Sequence, residues 1–334
     1  MLVGEMMFLR DHWYPVAVSE ELTEQAAPQI VRLFGDEYVV WPVGDGSYSV
    51  SEPFCPHRSA HLGGGWIADG ELVCPYHGWR FDGGGSCTLI PQMDDDLPVP
   101  PRAALRVFPT IERYGLVWTC VGESPADPPV WKEAAEHPEW RFHVEFFETW
   151  NVAAPRIIDN NLDQSHVAYV HTGTFGDRDD ATMPVYDVEA TATGGFVARM
   201  TMTHRGVGVQ NGVTTDEDER LQRCTEVELV APLVTRTRLD YGGVAPDYCF
   251  FSAITPIDDT RSTYVRLVAL AGDEETQPWD AFHAFGTRVK EEDRFVLEST
   301  VADFPVDLTS EVHLRCDKIT LDYRRYLMRQ LATV

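Results

Sequence analysis

Four side chains in the first third of the chain, Cys55, His57, Cys74 and His77, have the types and spacing of metal ligands. They fall on two short arms, Cys55-Pro56-His57-Arg58 and Cys74-Pro75-Tyr76-His77-Gly78-Trp79, with sixteen residues between His57 and Cys74. Each arm offers one thiolate and one imidazole. Such a set suits tetrahedral zinc or a [2Fe–2S] cluster with two histidines on one iron. Ligand order separates the two. A zinc finger pairs cysteines on one arm and histidines on the other, whereas mixed arms let both thiolates meet one iron and both imidazoles the second. Glycines around the arms permit backbone N–H groups to approach sulfur. Histidine ligation also raises the potential above that of an all-cysteine cluster. His61 and Cys87 lie nearby but outside the pattern and read as structural.

A second set lies in Asp159-Asn160-Asn161-Leu162-Asp163-Gln164-Ser165-His166-Val167-Ala168-Tyr169-Val170-His171. His166 and His171 are five apart, about 140° round an ideal helix, so a shared metal requires the helix to end or bulge between them. Asp163 and His166, three apart, share a face. Two histidines and one carboxylate with open positions form the facial site of non-haem Fe(II) oxygenases. The third ligand has to come from elsewhere. Along Trp279–Thr300, residues Phe282, Phe285, Val289, Asp293, Val296 and Leu297 recur at helical spacing, so Asp293 falls on the apolar stripe, with Glu291 and Glu292 turned toward the charged side. A carboxylate there is costly to bury unless a cation, an arginine or a backbone amide meets it. The pattern leaves these open. The two histidines in want of a third ligand favour the cation.

At these residues the chain resembles a known family. Cys-Pro-His-Arg-Ser-Ala with Cys-Pro-Tyr-His-Gly-Trp is similar to the Rieske motif of ring-hydroxylating and demethylating oxygenases. Asn-Asn-Leu-Asp-Gln-Ser-His-Val-Ala-Tyr-Val-His and Glu-Asp-Arg-Phe-Val-Leu-Glu resemble their iron-binding and later aspartate motifs. The likeness is to the compact branch that includes dicamba monooxygenase and vanillate O-demethylase. It implies that His166, His171 and Asp293 bind iron, that Asp163 bridges electron flow, and that Asn160 lies close to the iron. It further implies a [2Fe–2S] cluster, a mononuclear Fe(II), O2 as co-substrate, electrons from a separate NAD(P)H-dependent reductase or ferredoxin, and a head-to-tail homotrimer. Hydroxylation or O- or N-demethylation of a small, cyclic or aromatic substrate is the reaction implied. Cis-dihydroxylation is the alternative, and a non-catalytic Rieske electron carrier is a third reading that the additional two hundred residues oppose.

The elements that must position these groups fall into two regions. From Trp13 to Val121, short β-rich pieces (Tyr38–Trp41, Tyr48–Ser51, Leu116–Cys120) are punctuated by Gly63-Gly64-Gly65 and Gly83-Gly84-Gly85, which predicts a small antiparallel domain over residues 1–122. A proline-rich linker is expected over 123–140 and a catalytic domain over 141–334. In the latter, Tyr186–His204, Cys224–Asp240 and Tyr248–Leu270 read as strands of a larger antiparallel sheet, and Trp279–Thr300 and Lys318–Leu331 as amphipathic helices. The fold class is α+β, an all-β domain followed by a sheet with helices, of helix-grip or START-like form by the resemblance. Phe175, Met183, Phe250, Phe251, Phe282 and Phe285 are candidates to line a pocket.

Composition bounds the rest. With 334 residues, 44% hydrophobic and 24% charged, the chain can bury two cores. A net charge of −26 argues against a nucleic-acid partner. The cluster Arg324, Arg325 and Arg329 reads as a solvated helix face. No run approaches a membrane span or a signal peptide, and seven scattered cysteines suit a reducing cytoplasm. No Gly-x-Gly-x-x-Gly follows a strand, so neither a flavin nor a nicotinamide site is expected in this chain.

Overall fold

The computed structural model describes residues 6–332 apart from Asp95, Gly206, Val207, Asn211, Gly212 and residues 216–219; the side chains of residues 205–219 lie outside the described set. The chain divides into two compact units, one of residues 9–128 and one whose body begins at Pro129.

The first unit is built from three antiparallel sheets. Their strands are Tyr14–Val18, Leu116–Thr119 and Thr110–Arg113; then Gln29–Leu33, Asp36–Pro42, Tyr48–Ser51 and Val107–Phe108; then Trp66–Ala68, Glu71–Val73, Arg80–Phe81 and Cys87–Leu89. Short strands with tight turns are what the glycine and proline punctuation dictates. Val39, Trp41, Leu62, Leu72 and Phe81 pack into a core that also contains Cys55 and Cys74. Both cysteines are therefore anchored from below by apolar packing.

The second unit is a seven-stranded antiparallel sheet with helices, as the sequence pattern implies. Its order is Arg141–Trp150, Ser262–Leu270, Tyr248–Pro256, Val234–Asp240, Arg220–Ala231, Phe196–Arg205, Val188–Ala190. Each long alternating segment resolves into a hairpin rather than one strand. Chain reversals at residues 191–195, 232–233 and 257–261 divide them. Two interior strands, Tyr248–Pro256 and Ser262–Leu270, are buried along nearly their whole length, so both faces are covered. Trp279–Leu297 lies on this sheet through Phe282, which packs with Leu239, Tyr248, Val268 and Leu270. Lys318–Leu331 forms the last helix.

Three expectations change. Within 123–140, Lys132–Glu136 is helical, and Trp131 and Glu133 are buried against the sheet of the second unit, where Glu133 takes two hydrogen bonds from Arg236 Nε at 3.0 and 2.8 Å. Arg324 is not solvated: it is 2% exposed, bonded to Asp159 at 3.1 Å and to Glu311 at 2.5 Å. Val296 is exposed, so the apolar stripe of Trp279–Leu297 ends at Leu297 without it.

Candidate active site

The two cysteine–histidine arms fold alike. In each, the cysteine carbonyl accepts from the amide four residues on (Ser59 N at 2.9 Å, Gly78 N at 3.0 Å), and the cysteine amide donates to the carbonyl five residues on (Ala60 at 2.9 Å, Trp79 at 2.8 Å). The fifth residue of each arm takes a left-handed conformation, φ +53° at Ser59 and +71° at Gly78, which lets so short a loop close. Cys55 and Cys74 are buried and within hydrogen-bond reach of one another, yet neither is in a disulfide. His57 and His77 sit further out with ring centroids 4.5 Å apart, and His57 stacks on Trp79.

These residues fit a [2Fe–2S] group. His57 Nδ1 is a buried nitrogen with no hydrogen-bond partner, an unusual state that a metal bond would relieve. Burial pushes the Cys55 thiol up to about 11, with Cys74 beside it adding to the rise, so only a strong positive charge would hold the Cys55 sulfur as a thiolate. By contrast, His61 caps the turn at Leu62–Gly64 through Gly63 N at 3.1 Å and faces Glu37 at 3.2 Å. Cys87 bonds Leu89 O at 3.5 Å. Both have structural partners.

In the second unit, the helix Ala154–Leu162 stops where Asp163 turns extended, at ψ 136°. A short turn, Val167–Val170, follows, with His166 at its start and His171 at its end, already off helical geometry at ψ 26°. The interruption that two histidines five apart require is thus supplied at His171, where the turn leaves helical geometry. Asp163 fixes the approach to the turn: its Oδ1 accepts from Ser165 N at 2.8 Å and Ser165 Oγ at 2.7 Å, and its Oδ2 from His166 N at 3.1 Å.

His166, His171 and Asp293 bring one ligand atom each to within 4.8 Å of the others. Asp293 Oδ1 lies 3.5 Å from His166 Nε2 and 3.4 Å from His171 Nε2. Each imidazole is held from behind by a carboxylate on Nδ1, Asp163 at 3.2 Å and Glu292 at 2.9 Å. A carboxylate only accepts, so Nδ1 donates and the Nε2 lone pairs are left facing Asp293. Against the effect of burial, the bond to Asp163 and the charges of Asp293 and Asp163 raise the pKa of His166. Three carboxylates thus gather round two imidazoles, and among the described residues no lysine or arginine pairs with any of the three. The arrangement has donors and negative charge to match a divalent cation. Asn160 Nδ2 donates to Asp293 Oδ1 at 3.3 Å, which places it beside the same carboxylate.

Beside this triad opens a cavity of about 110 Å³. Phe175, Phe250, Phe282 and Phe285 line it, with polar groups from Asn161, Arg223, Ser252, Tyr264 and Arg266. The other two candidate lining residues are elsewhere. Phe251 points to the opposite side of its strand and stacks on Trp131, and Met183 borders a separate surface recess. Glu292 escaped notice as a partner because helical periodicity turns it away from the apolar stripe. Only the demand of His171 for an acceptor at Nδ1 signals it.

The chain's second half, residues 150–333, matches the family of the vanillate O-demethylase oxygenase C-terminal domain, and residues 12–109 match the Rieske [2Fe-2S] domain. The chain belongs to the Rieske non-haem iron oxygenases. Rieske oxygenases of this kind work with a [2Fe–2S] cluster, a mononuclear iron and O2, and this chain is such an oxidoreductase, the oxygenase component of its system. It is 29% identical to the methylxanthine N1-demethylase NdmA of Pseudomonas putida over 97% of this chain and 89% of the relative. The structure of Pseudomonas putida NdmA with caffeine superposes with TM-score 0.83 at 27% identity, covering 97% and 92% of the two chains. Dicamba monooxygenase bound to dicamba shares the fold, with TM-score 0.78 at 20% identity over 98% of each chain. Among the described residues no helix is long and apolar enough to cross a membrane.

Proposed function

We propose that the chain is the terminal oxygenase of a demethylating or hydroxylating system, with His166, His171 and Asp293 as iron ligands and Cys55, His57, Cys74 and His77 as cluster ligands. The observation that carries this reading is the convergence of three ligand atoms within 4.8 Å at the edge of an aromatic-lined cavity. When bound, the iron supplies oxygen activation. The chain's own residues do the remainder. Asp163 and Glu292 hold the two imidazoles in the metal-binding tautomer. Phe175, Phe250, Phe282 and Phe285 exclude water and present a flat apolar slot to a ring-bearing substrate. The N-demethylase named among the relatives favours removal of a methyl group from nitrogen or oxygen over dihydroxylation.

Electrons come from a separate reductase or ferredoxin, and transfer runs between copies of the chain in a homotrimer, from the cluster of one to Asp163 of the next. The bonds of Asp163 to an iron-ligand candidate suit it to that role. Seven free cysteines are compatible with a reducing, cytoplasmic setting. The experiment is a single-turnover reaction of reduced protein with O2 and a panel of N-methyl, O-methyl and unsubstituted ring compounds, following cluster reoxidation and product. Formaldehyde accompanying accelerated reoxidation is the expected result. A product carrying two added hydroxyls would replace demethylation with dihydroxylation, and a chain containing no iron beyond its cluster would remove the oxygenase reading.

A further inference from the structure

The strand Arg220–Ala231 alternates, and its inward positions include Leu221, Arg223, Thr225 and Val227. Arg223 is thereby carried to the covered face of the sheet, where it is 4% exposed and borders the cavity beside the metal triad. Its guanidinium lies 5.3 Å from the ring of Phe175, which also stacks on His171 at 5.0 Å and meets His204 edge-on at 5.6 Å. One phenyl ring therefore separates this cation from a candidate iron ligand.

Arg223 differs from every comparable group in the described structure. The buried arginine and lysine side chains among the described residues are Arg223, Arg236, Arg266, Lys290 and Arg324. Arg236 is paired with Glu133, Arg266 with Glu145, Lys290 with Glu148, and Arg324 with Asp159 and Glu311. Arg223 has no carboxylate among the described residues. Among the described residues its side-chain hydrogen bond runs from Nε to Thr225 Oγ1 at 3.3 Å, and no described residue bonds the terminal nitrogens of the fork. A phenyl face compensates a buried guanidinium poorly in comparison with an anion. Nor can the cavity wall supply the missing charge. Asp293 is the one carboxylate among its described lining residues and faces the two histidines, and Arg266 in the same wall is held by both oxygens of Glu145, at 2.6 and 2.9 Å.

We infer that Arg223 is the receptor for an anionic group of the substrate, a carboxylate or sulfonate on an aromatic ring, and so selects ring acids over neutral rings. Its planar fork matches two oxygens of such a group. The ring then lies among Phe175, Phe282 and Phe285, with its far side toward the metal triad. Because a hydrogen bond to a charged partner is lost with the side chain, affinity for an acid should fall about 10- to 100-fold when Arg223 is neutralised. The inference rests on the reading of this cavity as the substrate site of an oxygenase, and it narrows that reading to a substrate class.

The test is binding, measured anaerobically by calorimetry on the iron-loaded, cluster-containing protein, kept apart from turnover. The probes are 4-methoxybenzoate, 4-methoxybenzenesulfonate, the methyl ester of 4-methoxybenzoate, and caffeine. The acids should bind at least tenfold more tightly than the ester or caffeine. Arg223→Gln should abolish that preference while leaving the ester unchanged, and Arg223→Lys should retain part of it. The Tm of Arg223→Gln should not fall, since removing an unpaired buried charge relieves the fold; a lowered Tm with acid preference intact would make Arg223 a structural residue and overturn the inference. Equal binding of acid and ester by the unaltered protein, failure of every acid to bind, or a preference that persists in Arg223→Gln would each overturn it too. An acid that binds through Arg223 yet yields neither formaldehyde nor an oxygenated product would leave the anion receptor standing and count against the oxygenase reading instead.

Discussion

At the scale of single residues, two carboxylates divide the work of holding the histidines. Asp163 reaches His166 along the chain, three residues away, and Glu292 reaches His171 from a different helix. In Asp163→Asn the amide oxygen can still accept from His166, so both metal centres should remain. The proposed transfer route through the carboxylate is lost, and turnover should fall by more than tenfold with iron, sulfide and the cluster spectrum unaltered. Full activity in a metal-replete variant would remove Asp163 from the electron path. Glu292→Ala removes the acceptor from His171 Nδ1 altogether and frees the tautomer, so iron affinity should drop about 10- to 100-fold, read by iron content after dialysis against a weak chelator.

At the scale of elements, the metal triad depends on where one helix ends and how closely the next loop returns. Gly176 N donates to His171 O at 2.7 Å, and a Cβ at this glycine would come 2.4 Å from Val167 O and 2.8 Å from His171 C. Only glycine allows the loop to close on the turn that carries both histidines. Gly176→Ala should therefore push His171 away from Asp293 and lower iron occupancy several-fold, while the visible spectrum of the cluster stays as it was. Retention of full iron in this variant would show that the turn can move without cost. The helix Trp279–Leu297 was legible as an element from its periodicity, and Asp293 from its place on the stripe. The hairpin boundaries within Tyr186–His204, Cys224–Asp240 and Tyr248–Leu270 were not legible, because continuous apolar alternation hides short reversals such as Pro232-Leu233.

At the scale of the whole molecule, the proposed transfer between copies makes a prediction that a single-copy route does not. A Cys55→Ala chain lacking the cluster and a His166→Ala chain lacking the mononuclear iron should each be inactive alone. Co-expressed, they should regain a substantial fraction of activity, because some trimers then set an intact cluster beside an intact iron site on the neighbouring copy. Mixed assemblies as inactive as the parents would confine electron flow to one chain. Size-exclusion with light scattering on the same preparation reports whether the trimer is present.

The candidate ligands could be picked out without coordinates because metal chemistry is written in residue identity. Cys55, His57, Cys74 and His77 lie on two short arms, and His166 and His171 within six residues of chain, so local spacing carries the message. Asp293 could be inferred only because helical periodicity converts sequence position into a face. The partners that complete the site were decided by tertiary structure alone. Glu292 meets His171 across 121 residues, and Arg223 reaches the cavity through a strand alternation whose register was invisible until the sheet was paired. Sequence records which groups are present. Whether a buried arginine finds a carboxylate depends on what the rest of the chain packs against it, and that is settled only when distant segments meet.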